Sequence, residues 1–445
     1  MESTTASIPP GETPHLNMTP APDAAQDLES ASSSMRGDVE TDRGAWFCVL
    51  GALLFLIPSF GFMASLGTIQ SYLSLNQLSD RSVGEVGWIS GVYLFLSLIS
   101  NFQIGSILDR YGPRVLSPIG GILTTTSFLL MAECKEYWQF MLCFGVFGSI
   151  GAGIDAVTAV GVVGKIFIRR RGLAVGLAVM GTSIGSVIFP IMLRYTLPSL
   201  GWAWSMRIVA LAVASVTSLG VLCFLSFSRL VSNQKDEKAP KPAAFDLSAF
   251  LSPAFGFVAA GVFMFEFVVF GIGGLLPTIS TGAGFSAEDG YTLLSILGAC
   301  SCLGRFTLSL VGHRLGPLNS MLVVMVLTVV LMATVLIPFS TTSAPMLYVF
   351  SALWGFCSGS FYALSPVCIG KTCEVKDYAR YYGSTNSAVA FALLIAIPLS
   401  GIMLESLGAQ SLACVYLAII LLSGLCIFAA RALLVEKLVD FRTKT

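Results

Sequence analysis

Apolar residues along this chain fall into twelve blocks, each long enough to cross a bilayer, separated by short polar breaks. The blocks run at 46–68, 86–107, 115–132, 138–161, 172–193, 203–226, 251–276, 291–311, 318–338, 345–366, 383–403 and 411–434. A bilayer core of about 30 Å takes roughly 20 apolar residues as helix, so each block predicts one transmembrane helix. Residues 1–44 are different: Ser, Thr, Pro and Ala with scattered acids and no apolar core. That predicts a disordered cytosolic tail and not a signal peptide. The next long polar break, 228–249, contains NQKDEKAPKP and divides the blocks into two sets of six. The predicted organisation is therefore a tail at 1–44, a six-helix bundle at 45–227, a cytosolic linker at 228–249, a second six-helix bundle at 250–434 and a cytosolic C-tail at 435–445. The fold class is an all-α membrane protein with twelve transmembrane helices in two pseudo-symmetric six-helix bundles.

The two sets echo each other. GSILDRYGPR at Gly105–Arg114 follows the second block, and SLVGHRLGPL at Ser309–Leu318 follows the eighth. Arg110 then matches Arg314, Gly112 matches Gly316 and Pro113 matches Pro317. A second echo pairs RRRGLAVG from Arg169 with ARYYGSTNS from Ala379, each a basic loop before a glycine-bearing span.

Composition agrees with the pattern. Hydrophobic residues make up 55% of the chain, charged residues 11%, and the mean hydropathy is +0.81. A soluble protein carries about 25% charged residues, so the soluble class is excluded. The net charge of zero hides a segregation. Of 25 Lys and Arg, only Arg81, Lys135, Arg194 and Arg207 fall on the side opposite the termini. The positive-inside rule then puts both termini in the cytosol. Trp46, Trp88, Trp138, Trp202 and Trp204 stand near span ends, where an interfacial aromatic belt places them. The eleven Cys sit mostly within spans, and His15 and His313 are the two His. No metal spacing appears, so neither a metal nor a structural disulfide is expected. No phosphate-cradling GxxxxGK[ST] string occurs, so ATP is not the direct drive. No cofactor and no nucleic-acid partner is expected.

The charged loop at Gly105–Arg114 is the first candidate for chemistry. Asp109, Arg110 and Arg114 can make charge-assisted bonds to a neighbouring helix end, and Gly112-Pro113 makes the turn. Such a latch suits a gate; the plainer reading is that the charges only set topology.

This loop resembles the signature between the second and third helices of the Major Facilitator Superfamily. Further strings resemble its monocarboxylate-porter branch in fungal form: DRGAW at Asp42–Trp46, FGFMASLGTIQSY at Phe60–Tyr72, GKIFIRRRGLAVGLAVMGTSIGSVIFP at Gly164–Pro190 and YYGSTNSAVAFALLIAIPLSG at Tyr381–Gly401. The resemblance covers about residues 42–430 and implies two bundles around a central cavity that opens alternately to each side. The chain departs from that branch at three places. His313 occupies the acidic position of the second latch, beside Arg314, which weakens that latch or ties it to His protonation. The first helix lacks the Lys of animal lactate-type porters. Ser301 stands where their eighth helix has an Asp, although Arg305 is kept. The apparatus for lactate symport is thus incomplete, which favours a larger organic acid or a secondary metabolite.

An ionisable group inside a span is a functional-site candidate by default. Arg305 suits a bidentate grip on an anionic substrate; the plainer reading is a side chain reaching back to the interface. Asp155, in GSIGAGIDAVTAVGVVG, sits in a span otherwise free of charge. Buried there, it suits proton binding and release, contact with a cationic or hydroxylated substrate, or a structural pair. Glu266, in VFMFEFVVFGIGG, carries the same argument, and the resemblance places a Glu here in some members. Arg194 and Arg207 read as interfacial. Gln70, Tyr93, Asn101, Trp354, Tyr362 and Asn386 are candidates for the cavity wall, each also explicable by packing. Gly172, Gly176, Gly181 and Gly185 form a small-residue stripe for close helix packing.

The function expected is secondary transport of a small organic molecule, coupled to protons through Asp155 or Glu266, by a monomer in the cell membrane or an internal one such as the vacuole's. The alternative is a transporter-like nutrient receptor signalling through its cytosolic tail. An enzyme is not expected, because no intramembrane His or paired-carboxylate set is present.

Overall fold

In the computed structural model, residues 43–167, 171–226, 250–339, 343–373 and 378–435 are described. Among them every regular element is helical. In chain order these are α1 (Arg43–Leu56), α2 (Leu66–Leu75), α3 (Val83–Ile99), α4 (Asn101–Tyr111), α5 (Pro113–Met131), α6 (Tyr137–Ile166), α7 (Arg171–Ser226), α8 (Pro253–Gly282), α9 (Ala287–Leu315), α10 (Pro317–Phe339), α11 (Ala344–Gly370) and α12 (Tyr378–Val435). Eight of these are long and apolar enough to cross a membrane, and α1 and α3 are shorter apolar helices.

Helix length sorts the spans. The apolar runs of α7 and α12 cover 53 and 54 residues. At about 1.5 Å per residue each would be roughly 80 Å long, far beyond a bilayer core of about 30 Å. Both in fact are two helices meeting at a glycine of left-handed φ, Gly201 (φ 72°) in α7 and Gly408 (φ 80°) in α12. Conversely, two predicted blocks are interrupted. The first ends its helix at Leu56 and restarts through a short tight turn of helix at Phe62–Ser65 before α2. Pro58 lies in that gap and removes a backbone donor. Helical structure therefore continues to Leu75, past the end of the predicted block at residue 68. The second block breaks at Ser100, whose hydroxyl donates to the Leu96 carbonyl at 2.5 Å. Back-bonding of this kind bends a helix.

The sequence echo has a backbone counterpart. Gly112 (φ 76°) and Gly316 (φ 86°) both adopt the left-handed region, and each is followed by a Pro in the first turn of the next helix. A residue with a Cβ is strained there, and proline fits the first helical turn because that N–H has no intrahelical partner.

Helices approach closely through glycine. On α3, a Cβ at Gly91 would lie 2.3 Å from the Leu394 carbonyl oxygen, and one at Gly84 would lie 2.5 Å from Ile402. The same end of the contact carries a polar bond: the Val83 N–H donates to Glu405 at 2.7 Å. On α7, Gly181 and Gly185 press on Leu53 and Ile57 of the first span, whereas Gly176 has open space and the surroundings of Gly172 lie outside the described residues. Among the described residues the expected stripe thus packs at Gly181 and Gly185 and not at Gly176. Many large apolar side chains face outward, such as Leu211 at 69% and Val326 at 62% exposure. With the family described below, that outward apolarity marks a multi-pass membrane protein.

Candidate functional site

Two buried acids organise the polar interior, and they lie in different clusters. Glu266 is near the middle of α8 and is 8% exposed. The Tyr362 hydroxyl of α11 donates to its Oε2 at 3.0 Å. Over the face of the same tyrosine, 5.3 Å from the ring centroid, sits the guanidinium of Arg305 from α9. Arg305 donates onward to Thr182 Oγ1 at 2.5 Å and Ser183 Oγ at 3.1 Å, both on α7. Tyr382 and Asn386 of α12 share a side-chain hydrogen bond, and Tyr382 is within electrostatic reach of Glu266. An acid and a cation are therefore presented around one aromatic ring, with hydroxyls beyond them. A carboxylate, a guanidinium and phenol or amide groups in one apolar enclosure are suited to orienting a polar organic molecule. The Arg305–Thr182 bond also ties a helix before the polar break at 228–249 to one after it.

Asp155 is elsewhere. It is wholly buried on α6, where Thr124 of α5 donates to its Oδ2 at 2.9 Å. Among the described residues Oδ1 has no hydrogen-bond partner. Packing around it is dense: a Cβ at Gly120 would stand 2.2 Å from Oδ1. Tyr93, the nearby aromatic of α3, lies flat on Phe144 at 4.4 Å with 6° between the rings.

The remaining cavity candidates are placed as follows. Gln70 is buried and its amide donates to the Val83 carbonyl at 2.8 Å, which steadies the start of α3. Asn101 heads α4, partly buried, with its Oδ1 unpartnered among the described residues. Trp354 is fully buried between Phe265 and Phe350. Of the loop residues, Arg110 and Arg114 are exposed, with Arg110 stacked 5.4 Å over Tyr111. The side chains of Asp109, His313 and Arg314 lie outside the described residues. The structure thus brings Glu266, Arg305, Tyr362 and Asn386 into one region, gives Asp155, Tyr93 and Gln70 other partners, and stacks Trp354 on Phe265, the chain neighbour of Glu266.

Sequence reasoning passed over Thr182, Ser183, Thr124 and Tyr382. Hydroxyls are common in transmembrane helices, so their identity alone gives no signal. It also placed Arg431 with the inner loop charges. The structure buries it completely, its Nε donating to Asn319 Oδ1 at 2.5 Å. An unbroken apolar run around Arg431 was the signal available. Among the described residues no group of His, Cys, Asp and Glu is placed to hold a metal ion.

The sequence pattern of the Major Facilitator Superfamily matches residues 47–341 and 303–440. The riboflavin transporter MCH5 of Saccharomyces cerevisiae is 30% identical over 405 residues, covering 85% of this chain and 78% of its own length. The MFS-type transporter hasB of Aspergillus fumigatus is 31% identical over 400 residues, covering 87% and 89%. The aspyridones efflux protein apdF of Emericella nidulans is 30% identical over 368 residues, covering 82% and 72%.

Proposed function

This chain belongs to the Major Facilitator Superfamily, and we propose that within it the protein is a proton-coupled secondary transporter of an organic acid or secondary metabolite. Membership in a transporter family makes it a transport protein and not an enzyme. The observation that carries the finer reading is the cluster of Glu266, Tyr362 and Arg305 with Thr182 and Ser183. In this reading Arg305 receives an anionic group of the substrate, leaving Thr182 and Ser183 as it does so. Glu266 takes the proton, with Tyr362 as its hydrogen-bond partner. Loading a proton and an anion together leaves the site's net charge unchanged, so the loaded carrier meets no new Born penalty as it reorients. Asp155 serves as a packing pin rather than as the proton carrier.

The architecture proposed is twelve crossings in two six-helix bundles with both termini cytosolic. It is supported by the breaks at Gly201 and Gly408, the paired Gly-Pro turns and the one-sided placement of Lys and Arg. The contact of Gly84–Gly91 with Leu394–Glu405 then lies at the outer face. The names of the relatives support the substrate class: one is a riboflavin transporter and another effluxes aspyridones. The monocarboxylate-porter branch remains our assignment from the fifth-helix string.

Counterflow in proteoliposomes tests the reading, with a panel of monocarboxylates, dicarboxylates, riboflavin and polyketide-type acids. The expected result is exchange of an anionic solute that Arg305→Gln slows by at least about tenfold, the loss of one charge-assisted contact. Equal exchange by wild type and Arg305→Gln sinks the anion-binding role.

A further inference from the structure

Between the first helix of α7 and the start of α9 there is a cleft of about 310 Å³. At its narrow end the helices touch, since a Cβ at Gly298 would lie 2.6 Å from Ser186 Oγ. From there they diverge. The walls are aliphatic, Val187 and Ile191 on one side and Ile296 and Ala299 on the other. At the wide end stands Arg194. Val187 to Arg194 is seven residues, about 10 Å of helix rise. The cleft is therefore apolar for about 10 Å and cationic at its mouth.

Arg194 differs from the other two arginines on that side, of which Arg81 lies 3.6 Å from Asp80. Arg207 has its own acid, Glu133, at 2.5 Å. Among the described residues nothing hydrogen-bonds or ion-pairs Arg194, and its Nε is buried without a partner. The acid within reach, Asp289, is already engaged by Ser286 Oγ and the Tyr348 hydroxyl, each at 2.8 Å. The two hydroxyls that α9 gives the cleft spend their protons inside that helix, Thr292 on the Glu288 carbonyl and Ser295 on the Tyr291 carbonyl. Donors into the cleft thus come from Arg194 and from the Tyr195 hydroxyl beside it. Beside it, Tyr195 is 67% exposed with its ring under the guanidinium at 5.7 Å. An exposed aromatic beside a cation marks headgroup depth. Below it, Ile184 and Ile188 are also exposed on α7, toward hydrocarbon.

We propose that this cleft is a binding site for one anionic glycerophospholipid, with the phosphate on Arg194 and an acyl chain lying between α7 and α9. Its dimensions suit the headgroup end of that ligand: one anion at the polar end and the first part of an acyl chain below, the rest of the lipid lying in the bilayer. The proposal needs only a bilayer around the chain and is independent of what the protein transports. Bound there, the lipid wedges the seam between a helix of the first half and one of the second.

Native mass spectrometry of the full chain, titrated with dioleoylphosphatidylglycerol, tests it. Wild type retains one lipid more tightly than the rest. Arg194→Leu and Ile191→Trp, which fills the cleft, each weaken that lipid about tenfold, as loss of one charge-assisted bond or of the acyl slot predicts. Arg194→Gln, which keeps a long polar side chain, weakens it as well, and Arg207→Leu leaves it as in wild type. Inorganic phosphate and glycerol phosphate do not displace it. The proposal is overturned if Arg194→Leu and Arg194→Gln hold the lipid like wild type. It is overturned too if only the Arg194 variants weaken it while Ile191→Trp does not, or if free phosphate displaces it. Either of those outcomes describes a simple anion site.

Discussion

The two buried acids look alike in the sequence and differ in their neighbours. Asp155 is held by Thr124 and crowded by the backbone at Gly120. Thr124→Val removes its hydrogen-bond donor and should lower stability by about 1–3 kcal/mol, the usual consequence of leaving a buried polar group unpaired. Gly120→Ala pushes a methyl group into Oδ1 and should lower it by a similar ~1–3 kcal/mol. Both are read as the melting transition in detergent, with transport per folded molecule unchanged. A normal melt with lost transport would contradict the packing role. Thr182→Val is the opposite case. It removes a partner of Arg305 and should change the KM for the substrate while leaving the melt within the spread of surface mutants. Both acids were legible in the sequence, because a charge inside an apolar block stands out. Their partners were not. A Thr or Ser in a helix has its own i−4 carbonyl as a default partner, and only the fold decides which of them turn to a neighbouring helix.

At the scale of helices, glycine spacing was a partial guide. The stripe in α7 packs at Gly181 and Gly185 but not at Gly176, because a helix face meets its neighbour only where the two axes are close. The stripe that sets the contact between α3 and α12 is Gly84, Gly87 and Gly91, spaced by three and four residues. It was not singled out, since glycine is frequent throughout the chain, at 44 residues. A Cβ at Gly87 would lie 3.0 Å from the Pro398 backbone, so Gly87→Val forces the two helices apart. Overpacking of this kind costs about 1–3 kcal/mol, roughly a five- to 150-fold change in the ratio of closed to open forms. The expected reading is a longer spin-label distance between exposed positions 80 and 406 on either side of that contact. An unchanged distance would mean that this glycine contact does not set the spacing of the two helices. Breaks at Pro58 and Ser100 were blurred for a related reason. Hydropathy integrates over a span and does not see a local loss of backbone hydrogen bonds.

At the scale of the molecule, the internal echo was the strongest signal. The same Gly-Pro turn recurs at Gly112 and Gly316 with the same left-handed backbone. Helices from both sides of the break at 228–249 then meet at the Arg305–Thr182 bond and at the Val83–Glu405 bond. The first is at the polar cluster and the second is at the far end of the α3–α12 contact. A carrier that alternates must break and remake such ties, and a substrate gains leverage over the equilibrium only by binding the two states differently. In the proposed reading Arg305 supplies that difference, with a ligand anion competing against Thr182 and Ser183 of α7 for its donors.

The central claim is that Glu266, and not Asp155, links the proton to the substrate. The most direct measurement is solute accumulation in proteoliposomes under an imposed pH gradient, with wild type, Glu266→Gln and Asp155→Asn in parallel and counterflow as the control for folded carrier. The account predicts that wild type and Asp155→Asn accumulate solute against its gradient, whereas Glu266→Gln exchanges solute but no longer accumulates it. Accumulation by Glu266→Gln equal to wild type, with loss of drive in Asp155→Asn, would contradict it.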